Sequence, residues 1–436
     1  MAFPPKRLRS IDALRGAAAL GVVLYHAVEQ GKHVLPNNLF QYPIRLVQFA
    51  SSFGYIGVFL FFVISGFCIH LQWARATAAG VKPDIRFGPF WKRRIRRLYP
   101  PYIITLLLFL LFAAWTVGLD VTHFFLYDLG MHLLMLHNLD PNTCYTINGV
   151  FWTLAVEEQL YLAYFLLLFV RVRWGWGVTI AVCLLARFAW MAFSHIVWLK
   201  TGIGIPVPEA AASHWFTWAL GALGVEVMFG LTTLRGWSRD LRLATVLIVA
   251  ASALSSYLPW IPRETLLNDT IWFLIHPLWG LGFFIVVNRM VLAEQSWLRR
   301  VTLPSMVSVL STLGIFSYSI YLTHELVIMQ SWRWVNPGWW QLANVFVVTV
   351  PATIGFAWVF FWFCEKPFMI PSRIKMSEKS WTGFQDLQDS SGGFTERAFL
   401  TITGSSLRTY LRHSSSTTTR LADADTTAVA VADGQD

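Results

Sequence analysis

The chain has 436 residues, 56% hydrophobic and only 13% charged, with a net charge of +10. Soluble domains carry about twice that charged fraction, so a soluble globular fold is excluded. Many separate apolar runs approach the ~20 residues a spanning helix needs and are too long for barrel strands, which leaves an all-α polytopic transmembrane bundle.

Ten spans are expected, near residues 11–29, 53–74, 99–118, 150–170, 175–197, 215–234, 242–260, 270–291, 306–329 and 341–364. With the N-terminus inside, the inner segments up to Lys375 hold 22 Lys and Arg and the outer loops five. That bias predicts an integral membrane protein with both termini cytoplasmic, and the cations between spans set topology rather than bind nucleic acid.

The first span, IDALRGAAALGVVLYHAV, carries Arg15 and His26 inside an apolar run. A basic leader before it (Lys6, Arg7, Arg9) resembles a secretory signal, but Asp12 and Arg15 interrupt the apolar stretch. Eleven residues at ~100° bring Arg15 and His26 to one helix face, about 16 Å apart along the axis. Either alone reads as a snorkelling or capping group; together they read as two stations along one groove, where ionisable groups are functional by default. In the second span Ser65 and Gly66 permit close helix packing.

The following inner segment holds five cations in six residues, Lys92 to Arg97, ahead of Pro100 and Pro101. Part of this is ordinary inside charge. The density also suits a phosphorylated ligand, since guanidinium forks pair phosphate bidentately. Residues 119–149 contain no Lys or Arg and read as an outer segment with an interfacial or re-entrant helix. Its His123, His132 and His137 are not spaced as a ligand set, and Cys68, Cys144, Cys183 and Cys364 lie far apart, so no metal is expected.

Glu157 and Glu158 sit near the start of the fourth span, where only one can face a given groove because neighbours lie ~100° apart. Arg187 in the fifth span is read as facing a neighbouring carboxylate or carbonyl, and His324 and Glu325 fall near the outer end of the ninth. From Ser377 onward the chain is rich in Ser, Thr, Asp and Gly and is expected to be a disordered cytoplasmic tail, with a short helix around 396–411. Residues 1–376 then form the transmembrane domain.

These motifs resemble the membrane acyltransferase-3 family: Arg15 and His26 with ten residues between them, GVFLFFVISGF, RRIRRLYP, WTLAVEEQLY, SYSIYLTH and the closing Glu365-Lys366-Pro367, all in the family's order. The resemblance implies transfer of an acyl group, usually acetyl from acetyl-CoA as a donor substrate, to a hydroxyl of a saccharide, exported glycan or related acceptor. It implies no bound cofactor and a plasma-membrane location. Neutral His26 would act as base, since imidazole titrates near neutral pH. Glu157 would hold its tautomer or place the acceptor, and Arg15 with Arg93, Arg94 and Arg97 would bind the CoA phosphates or stabilise developing charge. Glu158, Tyr321 and His324 join the substrate-binding set. An acyl-His intermediate stays open. One departure is Phe59, where many family members have an acidic residue. The competing class is a proton-coupled transporter or flippase of a glycolipid, which internal repeats would favour; none stands out.

Overall fold

The computed structural model describes residues 8–29, 41–116, 123–261, 266–297, 305–332 and 344–369. Among them every regular element is helical. Seven helices are long and apolar enough to cross a membrane, or eight if one bent pair counts as a span. The tail from Ser377 lies outside the described residues.

Helix α1 is Arg9–Glu29, α2 Gln41–Ser52, α3 Gly57–Ala78, α4 Phe87–Thr116 and α5 His123–Leu133. Next come α6, Trp152–Thr201, α7, Ala211–Phe229, α8, Leu241–Tyr257, and α9, Leu266–Trp297. Ser305–Ile315 (α10) and Ser317–Trp332 (α11) meet at a bend of 79° between their flanking segments, and α12 runs Val345–Met369.

Part of the lower span count has a local cause, while α7 falls outside the seven and the bent pair is counted apart. Gly175 adopts φ 81°, ψ −179° within the 50 residues of α6, a left-handed excursion that costs glycine little. Trp152 and His214 have ring centroids 5.9 Å apart, and Arg171 pairs with Glu226 at 2.6 Å, so the first half of α6 runs alongside α7 in the same direction. Trp176 also reaches Glu226, whereas Arg187 reaches Ser213, so the second half runs back. The fourth and fifth expected spans are thus a helical hairpin folded at Gly175. Trp152 to Arg171 covers about 28 Å at 1.5 Å per residue, close to the hydrocarbon thickness.

Close backbone approaches hold two seams. A Cβ on Gly66 of α3 would overlap the Trp218 carbonyl oxygen, and one on Gly221 of α7 the Val63 carbonyl oxygen. Along α1 and α10, Gly16 meets Leu310 and Gly314 meets Asp12 in the same way. Lipid offers no hydrophobic drive for helix association, so such small-residue contacts supply much of it. The packing expected at Gly66 is borne out. At its other end α1 is capped from α9: Glu294 accepts from the Arg9 and Ser10 backbone N–H groups at 2.8 and 3.0 Å.

Helix α4 starts at Phe87, ahead of the expected span 99–118, so the cationic run is itself helical. That places Arg94 and Arg97 on one face, three residues apart. Pro100 and Pro101 lack N–H donors and leave the carbonyls of Arg96 and Arg97 without their helical partners. Here α11 packs in, with the Tyr318 hydroxyl donating to the Leu98 carbonyl at 2.9 Å.

Candidate active site

Two polar assemblies share the α1–α3–α4–α6–α11 side of the bundle. The first lies between α1 and α11. His26 Nδ1 is 2.6 Å from Glu325 Oε1, with the two side chains 25% and 13% exposed. A carboxylate accepts only, so Nδ1 carries a proton, and in the neutral imidazole Nε2 then holds the lone pair. The His324 ring centroid is 5.1 Å from that of His26. Its Nδ1 donates to the Tyr321 carbonyl at 2.7 Å, and its buried Nε2 has no partner.

The second assembly is a cavity of about 900 Å³ including its mouth, lined by Arg15, Arg94, Arg97, Ser65, Glu157, Tyr161, Tyr318 and Tyr321, with apolar walls from Val58, Phe61, Phe62 and Leu154. Arg94 lies 5.6 Å from the Tyr161 ring centroid. The Nε atoms of Arg15 and Arg94 are buried without a hydrogen-bond partner, a condition native proteins rarely leave uncompensated. Glu157 accepts from Ser65 Oγ at 2.6 Å and from the Tyr161 hydroxyl.

Tyr321 links the two. It lines the cavity, its ring lies 5.6 Å from that of His324, and its hydroxyl meets Thr153 Oγ1 at 2.5 Å. The histidines themselves do not line the cavity; Tyr321 is the residue that touches both assemblies.

The structure brings His26, His324 and Tyr321 together, and separately Arg15, Arg94, Arg97 and Glu157. The expectation that Glu157 holds the His26 tautomer is corrected. Glu325 occupies that position, and Glu157 faces the arginine cavity. Arg93 is exposed and not among the cavity-lining residues. Glu158 is 4% exposed, does not line the cavity, and has both carboxylate oxygens buried without a partner. As expected for adjacent residues, only one of the two glutamates faces the groove. Arg187 donates to the carbonyls of Ser213 at 2.5 Å and Trp272 at 3.1 Å. Phe59, 5% exposed, packs 4.8 Å from both His276 and Trp279, so this chain has an aromatic contact at that position and no carboxylate.

Sequence reasoning assigned no role to Glu325 or Glu365. Glu365 accepts from the Ser319 N–H at 3.1 Å and its hydroxyl at 2.5 Å, and stands within electrostatic reach of Arg15 and Arg97. The available signals were the His-Glu pair at 324–325 and the Glu365-Lys366-Pro367 motif.

The acyltransferase domain of the acyltransferase-3 family matches residues 8–362. Relatives include the peptidoglycan O-acetyltransferase OatA of Listeria monocytogenes, 26% identical over 39% of this chain and 26% of that one. The O-acetyltransferase OatA of Staphylococcus aureus (strain NCTC 8325) is 27% identical over 37% of this chain and 25% of its own. A putative O-acetyltransferase of S. aureus strain COL is 24% identical over 83% of this chain and 58% of its own. The match therefore spans about a quarter of each OatA. No solved structure matches. With the family's pattern running through nearly all the described helices, the chain belongs to the acyltransferase-3 family of integral membrane proteins.

Proposed function

We propose that this chain is a membrane O-acyltransferase that moves an acyl group, acetyl in the first instance, from acyl-CoA to a saccharide hydroxyl. The observation that carries this reading is the His26–Glu325 pair at 2.6 Å, beside Tyr321, which also lines a cavity bearing three guanidinium groups. Arg15, Arg94 and Arg97 hold the phosphates of the donor, with the thioester extending along the apolar walls. Glu325 fixes His26 with Nε2 as the acceptor nitrogen, the orienting role a carboxylate plays toward a catalytic imidazole.

His26 Nε2 takes the proton of the acceptor hydroxyl as its oxygen attacks the thioester carbonyl carbon. The C–O bond forms, the C–S bond breaks, and the imidazolium returns the proton to the CoA thiolate. The acceptor is a glycan hydroxyl, as the name of the Listeria peptidoglycan O-acetyltransferase suggests. The reaction takes place in the plasma membrane with both termini cytoplasmic, donor inside and acceptor outside. Purified protein incubated with labelled acetyl-CoA and a peptidoglycan-type oligosaccharide should release CoA and label the glycan in equal amounts. Glycolipid movement without CoA release would replace this reading with a transporter.

A further inference from the structure

His26 on α1 and the adjacent His324 and Glu325 on α11 form the one group of three metal-capable side chains among the described residues. Each offers a ligand atom, and these atoms lie within 4.8 Å of one another. In a tetrahedral zinc site ligand atoms stand about 3.3 Å apart, as Zn–N and Zn–O bonds of about 2.1 Å require. Rotations of these side chains cover the difference.

His324 is prepared as a ligand. The whole side chain is buried, at 0% exposure, and its Nδ1–H is committed to the Tyr321 carbonyl. That leaves the lone pair on Nε2, which no protein group meets. Metal-binding histidines characteristically donate their other ring N–H to a backbone carbonyl or carboxylate in this way. The partial exposure of His26 and Glu325 gives an ion a route in. Two imidazoles and one carboxylate form a donor set of borderline softness that suits Zn²⁺, while Mg²⁺ and Ca²⁺ prefer all-oxygen shells.

We propose that His26, His324 and Glu325 form a binding site for a divalent transition-metal ion, Zn²⁺ the best match, and that its occupancy switches acyl transfer off. The inhibitory part rests on His26 being the base. A metal shared by His26 and Glu325 binds at Nδ1, so the neutral ring's proton sits on Nε2 and that atom can no longer receive the acceptor's proton. With Glu325 and His324 also ligated, the other two basic groups of the cluster are taken as well.

The test uses the full-length chain in detergent, dialysed against buffered Zn²⁺, with bound metal and acetyl transfer read on the same samples. Wild type should bind one Zn²⁺ per chain. His324→Gln and Glu325→Gln should each bind at least tenfold more weakly while eluting from size exclusion as wild type does. Wild-type transfer should fall as the site fills, recover with EDTA, and ignore Mg²⁺. Absence of stoichiometric binding, binding unchanged in both variants, or transfer that rises with Zn²⁺ would overturn the proposal. Metal binding is read without turnover, so a chain that binds Zn²⁺ at this trio but never transfers acetyl counts against the acyltransferase reading and not against the site.

Discussion

Two buried charge clusters show what an ionic group inside this bundle is for. In one, Glu226 of α7 accepts from His70, Arg171, Trp176 and Thr232, and His70 bonds Tyr164 through its other nitrogen. Both Glu226 and His70 are fully buried, and that network is closed. In the other, Arg15 and Arg94 line a cavity with buried Nε atoms that no protein group accepts from, and Arg97 stands beside them. Buried polar groups are normally paired, so the closed cluster reads as a brace joining α3, α6 and α7. The open one awaits negative charge from elsewhere.

The contrast predicts different failures. Glu325→Gln keeps size but loses the charge that steadies the imidazolium, and kcat should drop by about 10²–10⁴, the usual contribution of a positioned acid/base group. Donor KM should hardly change. A Glu325→Gln enzyme within fivefold of wild type would remove the His26–Glu325 pair from the chemistry.

Glu226→Gln leaves Arg171 and His70 facing a neutral partner. Breaking a buried pair costs about 3–5 kcal/mol, so the melting temperature should fall sharply while the surviving folded enzyme keeps its donor KM. A stable variant with weakened donor affinity would make this cluster part of the site.

Arg94→Gln and Arg97→Gln should do the reverse. Each charge-assisted contact is worth about 1.5–3 kcal/mol, so donor KM should rise about ten- to a hundredfold with little loss of stability. Exposed Arg93→Gln is the internal control and should move KM only slightly. Equal effects from all three would return the run to bulk charge.

The smallest effect concerns the segment after α5. His137 stacks on His132 at 4.0 Å, and burial, then the neighbouring His132, lower its pKa to about 3. The unfolded chain, with an ordinary imidazole, binds more protons between those values. Stability from this residue is therefore complete above about pH 6.5 and is lost as pH falls toward 3. From pH 7 to 5 the loss is about 2 kcal/mol at most. His137→Phe should flatten the pH dependence of melting over that range, and an unchanged slope would assign it to other groups.

Much of the fold was legible because span length and charge bias act locally. A break between the fourth and fifth spans was expected at residues 171–174, next to the observed turn at Gly175, and α5 fell within the segment that lacks Lys and Arg. The shared face of Arg15 and His26 followed from helix geometry alone, and so did the choice of only one of Glu157 and Glu158. The partner of His26 was not legible. Glu325 lies 299 positions away, and pairing at that separation is set by how α1 packs on the α10–α11 bend, which no periodicity reveals. Glu157 looked equivalent by depth, but its azimuth on α6 points it at Ser65 and Tyr161 instead. The early start of α4 was likewise hidden, because a cationic run ahead of two prolines reads as a loop until its packing is known.

The division of labour between the histidine end and the arginine end is tested most directly in one variant with two readouts. In His26→Ala, binding of CoA and release of CoA from labelled acetyl-CoA should be measured on the same preparation. CoA binding within about twofold of wild type, with turnover at background, is the expected result. Turnover at a substantial fraction of the wild-type kcat, or loss of CoA binding together with turnover, would contradict the assignment of His26 as the base.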